Sequence, residues 1–150
     1  MRPGQLRFDN VSFKKISGLL DEIPQVKFAY IFGSRARGDA GCSSDVDVAV
    51  FLDHRVSSFE WRLRLMERLA KVLGSEHFDL VILNEASPVL KYEVIREGCV
   101  IKESKNRRVE FETRTLGEYL DTAFLRRVQR DYLKEQLTRG DPQQHLRHGK

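Results

Sequence analysis

Apolar positions in this chain switch between two periods, and the switches mark its elements. From 11 to 22, "VSFKKISGLLDE" sets Phe13, Ile16, Leu19 and Leu20 at three- and four-residue steps. That spacing predicts a helix with one apolar face, ended at or just before Pro24. "VKFAYIF" (26–32) is short and almost continuously apolar, and predicts a strand. "DVDVAVFL" (45–52) predicts a second strand, with Val46, Val48 and Val50 on one face and Asp45, Asp47 and Ala49 on the other. Residues 57–74, "SSFEWRLRLMERLAKVLG", return to the helical period. Phe59, Leu63, Met66, Leu69 and Leu73 form the expected inner stripe, and Gly74 a natural stop. "HFDLVILN" (77–84) predicts a third strand that carries Phe78, Leu80 and Ile82 on one side and Asp79 on the other. Ser87 is placed to cap a helix through Arg96 that Gly98 ends, and "CVIKE" (99–103) predicts a short strand. A long helix is expected from about Thr115 to Thr138. Leu116, Leu120, Phe124, Val128 and Tyr132 fall four apart on it, and Leu133 and Leu137 extend its apolar side.

Strands and helices thus mix along one chain, and the second strand follows the first through a compact turn. This predicts an α+β (mixed α/β) domain, a mixed sheet flanked by helices with a long C-terminal helix. The pattern does not fix the strand order. With 150 residues the chain is long enough for one real core. The expected organisation is a core over 1–103, a helical extension over 104–139 packed on that core or on a partner, and a flexible tail over 140–150.

Charge adds a second asymmetry. Residues 1–101 hold 14 basic and 14 acidic residues, whereas 102–150 hold 12 basic and 8 acidic, so the C-terminal third carries the whole net +4. Arg126, Arg127 and Arg130 make a basic patch there. It suits an acidic partner or, more simply, a solvated helix face. No aromatic platform or RNA motif accompanies these arginines, so nucleic acid is not expected as the partner. Cys42 and Cys99 have no metal-like spacing and are expected as free thiols. No apolar run is long enough to cross a membrane, and "MRPGQLRFDN" has no apolar signal core. A cytoplasmic protein without membrane contact is expected.

The chemistry lies in the two aspartates of "DVDVAVFL". They project side by side from one strand face, and Asp79 joins them if its strand lies alongside. Like charges about 4 Å apart repel by about 4 kcal/mol at an effective dielectric near 20. A proton, an intervening arginine or a divalent cation would offset that. Carboxylate oxygens are hard ligands that suit Mg²⁺ or Mn²⁺, and a pair of such ions can activate an attacking oxygen and stabilise a leaving one. Upstream, "GSRARG" follows the first strand directly. Gly33 permits close backbone approach, N–H groups at a helix start hold phosphate, Ser34 adds a hydroxyl donor, and Arg35 and Arg37 add forked cationic donors. Gly38 lets the chain turn back. Either half alone is ordinarily just a turn or a strand end; together they are far more specific.

Gly33-Ser34, ten residues, then Asp45-x-Asp47 resembles the signature of the DNA polymerase β-like nucleotidyltransferase superfamily. The longer "FGSRARGDAGCSSDVDVAVF" is similar to its minimal prokaryotic members, which serve as antitoxins beside a HEPN-domain toxin. The resemblance spans about residues 11–103. It implies the polymerase β-like fold, with Gly33, Ser34, Arg35, Arg37 and Gly38 at the nucleotide. It implies Asp45, Asp47 and Asp79 as metal and catalytic carboxylates, Asp79 placed to deprotonate or orient the attacking hydroxyl. It also implies two Mg²⁺ ions (or Mn²⁺), ATP as substrate, and AMP transfer to a tyrosine of a HEPN toxin. An assembly through the C-terminal helix, with a second copy or with the partner, is a further expectation. Two other readings stay open at this point: transfer to a small-molecule hydroxyl, as in aminoglycoside-modifying relatives, and a non-catalytic module that binds the toxin.

Overall fold

A computed structural model describes residues 10–33 and 46–139. The elements run α1 (Asn10–Asp21), β1 (Val26–Phe32), β2 (Val46–Leu52), α2 (Ser58–Leu73), β3 (Phe78–Ile82), α3 (Pro88–Glu97), β4 (Cys99–Lys102) and α4 (Lys105–Thr138). The strands form one mixed sheet of order β3-β2-β1-β4. β1 pairs antiparallel with β2 and with β4, while β2 and β3 run parallel. A parallel pair needs a long crossover, and α2 supplies it.

Alternation along the strands divides the core into two. One face carries Ala29, Ile31, Val46, Val48, Val50, Phe78, Leu80 and Ile82 and is covered by Ile16, Leu19 and Leu20 of α1 and Leu65 and Leu69 of α2. The opposite face carries Phe28, Tyr30 and Ala49 and is covered by Val94 of α3 and Phe111 of α4. A register shift between Val26 and Phe28 lets Val26 share the face of Ala29 rather than that of Phe28.

The helix ends follow local chemistry. Ser57 accepts from the Glu60 N–H and Gly74 closes α2 in the left-handed conformation. Ser87 accepts from the Leu90 N–H, with Pro88 opening α3. The end of α1 is capped from afar, since the Lys102 ammonium donates to the carbonyls of Leu20 at 2.7 Å and Ile23 at 2.8 Å. Lys102→Met is expected to leave both carbonyls without that donor and to destabilise the fold by about 2 kcal/mol. Urea unfolding would read this as a lower midpoint at unchanged slope; an unchanged midpoint would show that the cap contributes nothing.

Two expectations need correction. Of the expected inner stripe of α2, Leu69 and Leu73 pack in the core, but Phe59, Leu63 and Met66 are exposed; Trp61, Leu65 and Val72 face inward in their place. α4 begins at Lys105, ten residues before the expected Thr115. Its first turns are mostly polar and carry ion pairs around one buried apolar anchor, Phe111. Arg108 bridges Glu103 and Glu112, each at 2.7 Å, and Glu112 accepts from the buried Tyr30 hydroxyl at 2.7 Å. Burial, and then the Glu112 carboxylate, push the Tyr30 phenol well above its ordinary range.

Candidate functional site

The candidate site sits at one end of the sheet, where β1 ends and β2 and β3 begin. Asp47 faces Phe32 across the antiparallel pair and Asp79 across the parallel one. Neighbouring strands lie about 4.8 Å apart, so residues in register on the same face bring their side chains together. Asp47 and Asp79 share parity with Ala49 and Val81, and both carboxylates therefore project from the sheet face that α3 and α4 cover. Asp47 is half-buried and Asp79 exposed, so the pair opens from the sheet edge to solvent.

Gly33 closes the other side. It adopts φ +84°, a conformation that favours glycine. A Cβ at this position would lie 2.0 Å from Asp47 Oδ2 and 3.0 Å from its Cγ. The glycine is thus required by the carboxylate of its own chain as well as by the turn. Sequence reasoning reserved that space for a ligand. The pairing of Phe32 with Asp47, which follows from a hairpin-like return of the chain, is the signal that would have found the contact.

Of the sequence-derived site residues, Gly33, Asp47 and Asp79 are thus brought together. Ser34, Arg35, Arg37, Gly38 and Asp45 lie outside the described residues. Two carboxylates in register, one open to solvent, offer hard oxygen donors of the kind that bind a partly hydrated Mg²⁺. Among the described residues no group of three or more potential ligands is assembled. A cavity of about 640 Å³ opens at the opposite end of β2, beside Phe51, Leu83, Lys91, Phe111 and Thr115, and none of the site carboxylates lines it. No helix among the described residues is long and apolar enough to cross a membrane.

Known proteins share this arrangement of elements. The polymerase beta nucleotidyltransferase family model matches residues 14–107. The protein adenylyltransferase MntA of Shewanella oneidensis is 33% identical over 106 residues, which cover 71% of this chain and 75% of that protein. A chain from a crystal structure of a toxin–antitoxin pair with AMP-PNP superimposes with a TM-score of 0.68 at 31% identity, over 81% of this chain and 98% of that one. A chain from the structure of the tri-AMPylated Shewanella oneidensis HEPN toxin in complex with its MNT antitoxin gives a TM-score of 0.62 at 28% identity, over 81% of this chain and 96% of that one.

Proposed function

This chain belongs to the polymerase beta nucleotidyltransferase family, and from that membership we propose that it transfers AMP from ATP to a tyrosine hydroxyl of a HEPN-domain toxin, as the antitoxin of the pair. The observation that carries the reading is the contact of Gly33 with Asp47 beside Asp79. It brings a glycine of positive φ and two carboxylates together at one strand end, as a phosphate turn beside a metal site requires. The relatives point to the acceptor, since one is a protein adenylyltransferase and another stands beside an AMP-bearing HEPN toxin.

In this reaction the tyrosine oxygen attacks the α-phosphorus of ATP. A new phosphorus–oxygen bond forms, the bond to the β-phosphate breaks, and pyrophosphate leaves with the electron pair. The phenolic proton passes to Asp79 or to a water that Asp79 orients; general-base help of this kind is worth about 10²–10⁴-fold. Gly33 and Ser34 bring backbone N–H groups and a hydroxyl to the phosphates, with Arg35 and Arg37 as cationic donors and Gly38 closing the turn. Asp45 and Asp47, with Asp79, would hold Mg²⁺, which when bound neutralises charge developing on the phosphate oxygens. The setting is the cytoplasm.

Intact-protein mass spectrometry tests the proposal. The product of the adjacent gene, for which the proposal expects a HEPN-domain toxin, is incubated with ATP, Mg²⁺ and either the wild-type chain or its Asp45→Asn/Asp47→Asn form. A gain of one or more AMP units with the wild type alone is the expected result. Tight complex formation by both forms without any gain would replace the enzyme with a docking module. Neither gain nor complex would return the acceptor to small molecules.

A further inference from the structure

The far half of α4 has no place in the fold around it. Phe111 and Thr115 are buried on the sheet side, and Tyr119 stacks on Tyr92 of α3 with ring centroids 3.9 Å apart. Arg126 closes the attachment. Its guanidinium lies 3.9 Å from the Tyr119 ring centroid, donates to the Tyr119 carbonyl at 2.7 Å, and donates to the Thr122 hydroxyl. The sequence pattern put Arg126 with Arg127 and Arg130 in one basic patch; the structure uses it as a clamp and leaves the other two exposed.

Beyond Arg126 every residue to Thr138 is exposed. These residues continue the helix for about 18 Å. Large apolar side chains nevertheless line the segment. Phe124, Leu125, Val128, Tyr132, Leu133 and Leu137 have relative exposures from 48% at Val128 to 82% at Leu137. A helical segment of this length is marginal in water by itself, and contiguous apolar surface of this kind marks contact sites. The match to the family model ends at residue 107, before this segment begins.

Charge selects the occupant. Residues 126–139 carry five basic and two acidic side chains, a net +3. A second copy would set like charges against each other within a Debye length of about 8 Å. An acidic surface with an apolar groove would satisfy both the leucines and the arginines, with Phe124 and Tyr132 as aromatic anchors and arginine at the rim. α4 is also rooted on the sheet face from which Asp47 and Asp79 project, beside the opposite end of β2.

We propose that Phe124–Leu137 of α4 is a docking arm for an acidic, apolar-grooved surface of the toxin and holds that toxin on the carboxylate face of the sheet. The proposal rests on the reading of this chain as a toxin-modifying enzyme. Its test separates docking from chemistry. Phe124→Glu/Val128→Glu and Arg127→Glu/Arg130→Glu alter exposed positions, and circular dichroism verifies that both variants fold. Calorimetry measures affinity for the toxin expected from the adjacent gene, mass spectrometry measures AMP transfer at saturating toxin, and sedimentation measures the chain alone. The apolar pair is expected to weaken toxin binding about 100-fold, and the arginine pair about 10-fold with a flatter salt dependence. Transfer should recover at saturating toxin, and the wild-type chain should sediment as a monomer. The arm also stands if the variants lose binding while even the wild type transfers no AMP; only the enzymatic reading then falls. Wild-type toxin affinity in Phe124→Glu/Val128→Glu overturns the arm. So does a wild-type dimer that those substitutions dissociate, or arginines whose reversal abolishes binding of single-stranded RNA and leaves toxin affinity unchanged. Absence of any toxin binding by the wild type overturns it whatever the transfer assay reads.

Discussion

Gly33→Ala is expected to lower AMP transfer by at least about 100-fold, although it adds only a single methyl group. Two effects combine. The backbone at Gly33 has φ +84°, which costs a residue with a Cβ about 1–2 kcal/mol. The added carbon would also stand 2.0 Å from Asp47 Oδ2, a separation that no atoms tolerate, so either the turn or the carboxylate must move. Asp47 sits between β1 and β3, on a strand whose inward residues are buried, so its backbone has little freedom to retreat. The displacement falls on the carboxylate or on the backbone at Gly33, the two parts that the proposed transfer requires to be in register. A misplacement of about 1 Å at such a site is enough for a loss of about 100-fold. Stability should fall by only about 1–3 kcal/mol, so the variant remains folded and the loss can be read as catalysis. Single-turnover transfer with saturating ATP is the measurement. A near-wild-type rate would mean that the Asp47 carboxylate does not need its observed position, and the site as drawn would be wrong.

The legible parts of this fold are those where one local signal acts alone. β1 occupies its expected residues because "VKFAYIF" is too short and too apolar for any other element. α3 begins beyond Ser87 and ends before Gly98 as the caps dictate. α2 was misread because its sequence carries two apolar stripes. Phe59, Leu63 and Met66 recur at helical steps, and so do Trp61 and Leu65, and only the crossover from β2 to parallel β3 decides which stripe meets the sheet. The start of α4 was invisible for the opposite reason. "KNRRVEFETR" has no apolar period, and the helix there is anchored by the single buried Phe111 and by Arg108 with Glu112, whose carboxylate meets a distant partner in Tyr30. At the site, alternation along each strand predicted which way Asp47 and Asp79 point. It did not predict that their strands are neighbours, since register between strands thirty residues apart is a property of the assembled sheet. The exposed side chains of distal α4 show the same limit. Their spacing forms a stripe whether or not anything covers it, and only the fold reveals that the chain itself does not.

Asp79→Asn is expected to reduce the rate of AMP transfer by about 10²–10⁴-fold while leaving toxin affinity and folding near wild type. The residue lies on β3, the edge strand of the sheet, and is exposed. An aspartate in such a place is ordinarily a solvated edge residue, and its loss would then be silent. Its register with Asp47 makes the difference. Asparagine keeps the size and one carbonyl oxygen but cannot take a proton near neutral pH, and it is a weaker ligand for a hard cation. As a surface substitution it should change stability by less than about 0.5 kcal/mol, and removal of one of two neighbouring negative charges works in the stabilising direction. The pH–rate profile separates the two roles that the proposed reaction gives Asp79. If it acts as the base, a higher pH that ionises the tyrosine acceptor should restore part of the rate. If it acts as a metal ligand, a raised Mg²⁺ concentration should restore the rate. A full rate under all these conditions would reduce Asp79 to an edge-strand surface residue and leave Asp45 and Asp47 as the whole of the carboxylate site.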